Sequence, residues 1–253
     1  MQDETQTRQS WWQRIAHPGQ FVAWSTPWLW PLTVLTAALF GLGLWFAFFN
    51  SPQDYQMGDT VRIMYVHVPN AWLSQFVYAV MTASALGTLV WRHPLADVSM
   101  KAAAPLGALF TALALFTGAL WGRPTWGTFW EWDGRMTSTL VLLFIYLGII
   151  ALWRAFDDQL RAARVVAVFT LVGAINIPII KFSVDWWSTL HQPASVFRAD
   201  GPTMPGSILT PLFVMFFAFT FLFLALHIKA MHTEIKRRRV TTLERRLAQG
   251  AQT

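Results

Sequence analysis

The stretch WGRPTWGTFWEWD, Trp121 to Asp133, places four tryptophans (Trp121, Trp126, Trp130 and Trp132) within thirteen residues. Arg123, Glu131 and Asp133 interrupt it, so it does not span a bilayer. Gly122, Pro124 and Gly127 break any strand ladder, so it is not a core strand. Trp126 and Trp130 are four apart, and a short helix from about Thr125 would put both rings on one face. Indole joins a broad apolar body to one N–H, which suits the boundary between lipid and water. Two readings stand: an interfacial belt anchoring the flanking helices, or a flat aromatic platform for a flat ligand.

Outward from this stretch the chain is strongly apolar. Of 253 residues 55% are hydrophobic and 13% charged, against about a quarter charged in a soluble domain. The mean hydropathy is +0.40. The apolar runs are continuous rather than alternating, which excludes a β-barrel. With about 20 residues per span, the chain has room for about six spanning helices. They are expected at Trp28 to Phe49, Ala71 to Trp91, Ala102 to Trp121, Thr137 to Trp153, Val165 to Ile180 and Ile208 to Ile228. Pro69 fits the first turn of the second, where a missing N–H costs nothing. Asn176 and Pro178 predict a kink in the fifth. The fold class is therefore all-α: one polytopic membrane domain over residues 1–253, with a short interfacial tryptophan-rich helix or loop. Nothing in the first apolar run resembles a signal cleavage site, so it is read as a retained span.

The connecting segments carry the charge, and basic residues set the orientation. Arg8, Arg14, Arg92, Lys101, Arg154, Arg161, Arg164, Lys229, Lys236, Arg237, Arg238, Arg239, Arg245 and Arg246 fall on the side of the termini. Arg62, Arg123, Arg135, Lys181 and Arg198 fall on the other. This excess places both termini and the basic tail in the cytoplasm, with outer loops at about 50–69, 121–136 and 182–207. The net charge of +6 is membrane-flanking charge and not a nucleic-acid surface.

There is no cysteine, which excludes disulfides, thiolate metal sites and C-x-x-C-H heme attachment. No P-loop is present. Of six histidines, His17, His93, His227 and His232 fall on the cytoplasmic side as interfacial polar residues. Only His67 and His191 lie in outer loops, each two residues before a proline. Two histidines without cysteine suit a metal site completed by a carboxylate, or a heme with one imidazole on each face. They also suit plain capping and loop bonds. Asp54, Asp59, Asp185 and Asp200 lack ligand-like spacing. Heme needs an apolar platform, which the tryptophans supply, and cations for two propionates, for which Arg62, Arg123, Arg135 and Arg198 are available. Asp133 reads as a helix cap or a partner of Arg135 or Arg123, and no nucleophile is arranged beside Glu131 or Asp133.

WGRPTWGTFWEWD continuing into GRMTS, with RIMYVHVPNAW at Arg62 to Trp72 and WWSTLHQP at Trp186 to Pro193, resembles the cytochrome c maturation proteins CcmC, the heme exporter protein C family. These belong to the wider WWD-domain heme-handling proteins. The resemblance covers nearly the whole chain. The larger relatives CcmF and CcsA have more spans than this chain can hold. The resemblance implies a multi-pass protein of the bacterial inner membrane that is not an enzyme. It implies non-covalent heme b at the periplasmic face, with His67 and His191 as axial ligands. Trp121, Trp126, Trp130, Trp132 and Asp133 would form the platform. It further implies transfer to the heme chaperone CcmE, with CcmD and the ABC transporter CcmA–CcmB as partners. The competing expectations are a b-type heme electron-transfer subunit, which usually carries histidines mid-span, and a permease conducting heme across the bilayer.

Overall fold

The computed structural model describes residues 16–55, 57–187, 189–191, 195–196 and 199–250. Helix α1 is Pro18–Trp45, followed by a π-helical turn at Phe46–Asn50. A 3-10 turn at Asp59–Ile63 leads directly into α2, Met64–Leu89. Then follow α3, Ala96–Trp126, and α4, Gly134–Ala155. Next come α5, Gln159–Gly173, and α6, Asn176–Trp186. The last helix, α7, is Gly206–Gly250. No strand occurs among the described residues, which hold only one isolated bridge, Asp54 to Gly58. The protein is an all-α polytopic membrane protein. Among the described residues, five helical stretches are long and apolar enough to cross a membrane: Pro18–Asn50, Ala96–Trp126, Gly134–Ala155, Gln159–Trp186 and Gly206–Gly250. Helix α2, 26 residues long, stands outside that set and is more polar, with His67, Asn70, Ser74 and Gln75.

Several helices run further than the sequence predicts, each for a local reason. Helix α1 begins at Pro18, ten residues before the apolar run, because His17 Nδ1 accepts the Gly19 N–H at 3.2 Å and Pro18 opens the first turn. Helix α2 begins at Met64 rather than near Ala71, so His67 is helical and not in a loop. The Asp59–Arg62 ion pair (2.8 Å) bridges the 3-10 turn that feeds it. Pro69 is therefore inside the helix and not in its first turn. Helix α3 passes Trp121 and ends only at Gly127, whose φ of +81° closes a left-handed cap with its N–H on the Arg123 carbonyl at 3.1 Å. Pro124 sits in the last turn, where little helix remains to lose. Trp126 is thus the last helical residue and Trp130 lies beyond it, so the predicted helical face shared by these two does not form.

The predicted fifth span is two helices. The break falls at Ala174–Ile175, four residues before Pro178. Pro178 has no N–H for the Ala174 carbonyl, which takes the Ile177 N–H instead at 3.1 Å. Asn176 then donates to the Ser138 carbonyl at 2.9 Å, tying α6 to α4.

Helix α2 packs most extensively on α3, and α1 packs on α7. Lipid gives helices no hydrophobic reason to associate, so close packing and interhelical hydrogen bonds must hold the bundle. Ala103, Ala104, Gly107 and Ala108 supply a small-residue surface on α3. A Cβ on Gly107 would lie 2.2 Å from the Tyr146 ring. That buried ring donates its hydroxyl to the Ser74 carbonyl at 2.8 Å and meets Tyr78 edge-on at 5.3 Å. Tyr78 in turn donates to the Thr170 carbonyl at 2.9 Å. At the opposite end from Trp121 and His67, Glu234 meets Lys101 (3.1 Å), Arg237 (2.8 Å) and Arg238 (2.7 Å), and Arg238 reaches Asp97 at 2.6 Å. This network locks α7 to the start of α3.

Gly107→Ala forces a methyl group into a rigid buried ring. Thermal unfolding in detergent is expected to show a loss of about 1–3 kcal/mol, the usual cost of overpacking. An unchanged midpoint would show that the Tyr146 contact is not constraining.

Candidate functional site

One face of the last turns of α3 carries Ala114, Leu115, Gly118, Trp121, Gly122, Thr125 and Trp126. These positions recur at helical spacing. Small residues along this face open a groove that the two indoles flank. The groove is one wall of a cavity of about 370 Å³, within the size range of small-molecule sites. His67 lines it from α2 and His191 from the segment after α6. The two histidines stand 124 positions apart in the sequence, and the fold brings them to one cavity.

Each imidazole is held through Nδ1. His67 Nδ1 lies 3.0 Å from the Ala114 carbonyl and 3.2 Å from Thr117 Oγ1. A carbonyl only accepts, so Nδ1 carries the hydrogen and Nε2 the lone pair. The ring approaches α3 closely because position 118 is glycine: a Cβ there would stand 3.0 Å from His67 Cε1. His191 Nδ1 donates to Asp133 Oδ2 at 2.7 Å, which leaves its lone pair on Nε2 as well. Asp133 is buried and caps α4, accepting the Met136 N–H at 2.7 Å through Oδ1. Thr189 Oγ1 donates to Asp133 Oδ2 and accepts the His191 N–H at 3.1 Å. Each imidazole also packs on one indole of the opening stretch: His67 on Trp121 at 5.6 Å, and His191 on Trp126 at 4.8 Å.

The electrostatics of the outer pair agree with this arrangement. Burial pushes the His191 pKa below 6.5, and this outweighs the upward pull of the Asp133 carboxylate. Burial pushes Asp133 the other way, but hydrogen bonds from Thr189, the Met136 N–H and His191 win and hold it below its ordinary range. Both shifts favour a carboxylate bonded to a neutral imidazole.

Arg135 lines the cavity beside Lys181, and its Nε is buried without a hydrogen-bond partner among the described residues. Such an orphaned donor fits an anionic group entering the site. Trp72, Phe216, Met57 and Met64 make much of the remaining wall apolar or soft, with Gln75, Thr139 and Ser195 as polar positions in it. The Trp121 Nε1–H points to Met57 Sδ at 3.1 Å.

Other expected residues lie off the cavity wall. Trp130 and Trp132 form an edge-on pair at 5.3 Å, with Trp132 73% exposed. The turn at Gly127 carries them off the helix that presents Trp121 and Trp126. Arg123 donates to the Gly127 carbonyl at 2.5 Å and sits over Phe129. Arg62 is paired with Asp59. Arg198 and Pro193 lie outside the described residues. His17 and His93 cap local turns, His232 bonds Ser25 at 2.6 Å, and His227, buried against Phe223, bonds Ser99 at 3.1 Å. No group of three His, Cys, Asp or Glu able to hold a bare metal ion occurs among the described residues. Sequence reading missed Lys181, the methionines and Thr189. Only Thr189 left a signal, a hydroxyl two residues before a loop histidine.

Residues 11–246 match the family model described as heme exporter protein C. The chain belongs to the heme exporter protein C family. The heme exporter protein C of Bradyrhizobium diazoefficiens is 61% identical over 233 residues, 91% of this chain and 87% of that one. Those of Escherichia coli K12 (47% over 173 residues, 68% and 69% of the two chains) and Haemophilus influenzae (44% over 201 residues, 79% and 82%) carry the same name. For this member of the heme exporter protein C family, the paired imidazoles are the chemically distinctive feature.

Nuclear magnetic resonance titration of the ligand-free protein is expected to place the His191 midpoint below 6.5. Asp133→Asn removes the charge that favours imidazolium and should lower it further. A wild-type midpoint above 6.5 would contradict the burial account.

Proposed function

We propose that this chain binds heme b non-covalently in the cavity between His67 and His191 and passes it to the heme chaperone CcmE during cytochrome c maturation. The observation that carries the reading is the convergence of two Nδ1-anchored imidazoles, each on an indole, at one cavity. His67 and His191 would hold the heme iron through Nε2, and two such neutral ligands would suppress oxygen chemistry during carriage. The remaining residues bind and orient the porphyrin. Each 100 Å² of porphyrin face removed from water against Trp121, Trp126 and the apolar wall contributes about 2.5 kcal/mol. Arg135, with its unpaired buried Nε, meets a propionate. Trp132, 73% exposed and paired edge-on with the half-buried Trp130, extends the platform toward an incoming partner. No covalent bond forms, so the heme stays transferable.

The excess of basic residues on the side of the termini supports a periplasmic heme site and cytoplasmic termini in the bacterial inner membrane. CcmD and the ABC transporter CcmA–CcmB are the partners this reading assigns, with CcmA–CcmB supplying the ATP hydrolysis that this P-loop-free chain lacks. The role is that of a heme-handling protein and not an enzyme.

Purified His67→Ala and His191→Ala should each lose the six-coordinate bis-imidazole absorbance. If both variants keep the wild-type spectrum, the ligand assignment fails. Heme-dependent crosslinking to CcmE tests delivery: the adduct should form with wild type and fall sharply in His191→Ala.

A further inference from the structure

We propose that Thr189 is a positioning residue, whose hydroxyl joins the loop bearing His191 to the rigid start of α4 and so fixes the aim of that imidazole. The inference rests on the reading of His191 as a heme ligand.

The two imidazoles are supported unequally. His67 sits on α2, bonds a main-chain carbonyl of α3 and is pressed into the gap at Gly118. Its position follows from helix packing. His191 lies past the end of α6, and the described residues beside it are not helical. Its ring is fixed by Asp133, and Asp133 is fixed because its other oxygen caps α4. One bond from an imidazole to a carboxylate still leaves the loop free to pivot. Thr189 removes that freedom. Its hydroxyl donates to the same Asp133 oxygen that receives His191, and it accepts the main-chain N–H of His191 at 3.1 Å. Side chain and backbone of His191 are thereby tied to one anchor. Outer partners of this kind commonly change metal affinity by roughly 10- to 100-fold when removed.

Valine has the shape of threonine without the hydroxyl, and serine keeps the hydroxyl without the methyl. Full-length Thr189→Val, Thr189→Ala and Thr189→Ser, each in lipid nanodiscs, would be titrated with ferric heme and followed by absorbance and electron paramagnetic resonance. The valine and alanine variants are expected to bind heme roughly tenfold or more weakly. Part of their heme should pass from six-coordinate low-spin to five-coordinate high-spin, held by His67. The serine variant should restore both properties. In the heme-free protein, modification of His191 by diethyl pyrocarbonate, read by mass spectrometry, should accelerate in valine and alanine but not in serine. Wild-type behaviour in valine and alanine would overturn the proposal. So would equal impairment in serine, which would assign the effect to the methyl group. If His191→Ala kept a wild-type heme spectrum, the ligand reading would fall, while the heme-free reactivity would still decide whether Thr189 holds the ring.

Discussion

The site depends on hydrogen bonding at the imidazole nitrogen that faces away from the ligand. Both His67 and His191 spend Nδ1 on a fixed acceptor, a main-chain carbonyl in one case and a buried carboxylate in the other. That choice sets the tautomer and presents Nε2 as the basic nitrogen. It also explains why Asp133 belongs with the tryptophans in sequence. The carboxylate that caps α4 is the one that orients the loop imidazole, so the start of a helix and the geometry of the site are one constraint.

The membrane supplies the second constraint. Without a hydrophobic driving force between helices, the bundle closes through small residues and buried tyrosine hydroxyls. The Tyr78–Tyr146 pair, seated against Gly173 and Gly107, draws α2, α3, α4 and α5 together below the cavity. The ionic cluster of Asp97, Lys101, Glu234 and Arg238 secures the far end. The bundle is therefore tight in its middle and at that end, and the cavity lies where Gly118 and Gly122 of α3 seat the His67 and Trp126 rings.

Much of this was legible in the sequence. Continuous apolar runs placed the helices, and the absence of cysteine with two histidines in the expected outer loops narrowed the chemistry. Element ends were less legible, because proline is ambiguous as punctuation. Pro69 looks like a helix start and Pro124 like a helix breaker, yet both are helical. Once α3 runs to Gly127, the four tryptophans divide into two that line the cavity and two that do not, a division that spacing alone cannot make. The role of Thr189 was not legible, because its meaning depends on Asp133, 56 positions away. The arginines were equally ambiguous: Arg62, Arg123 and Arg135 have the same chemistry in sequence, and only tertiary structure puts Arg135, and not the other two, on the cavity wall.

The central claim is that one porphyrin sits between two imidazoles carried by a helix and a loop. Cryo-electron microscopy of the heme-loaded protein in nanodiscs measures this most directly. The account predicts iron within bonding distance of both His67 Nε2 and His191 Nε2, with the ring against Trp121 and Trp126. Porphyrin density elsewhere in the bundle, or iron bonded to neither imidazole, would contradict it.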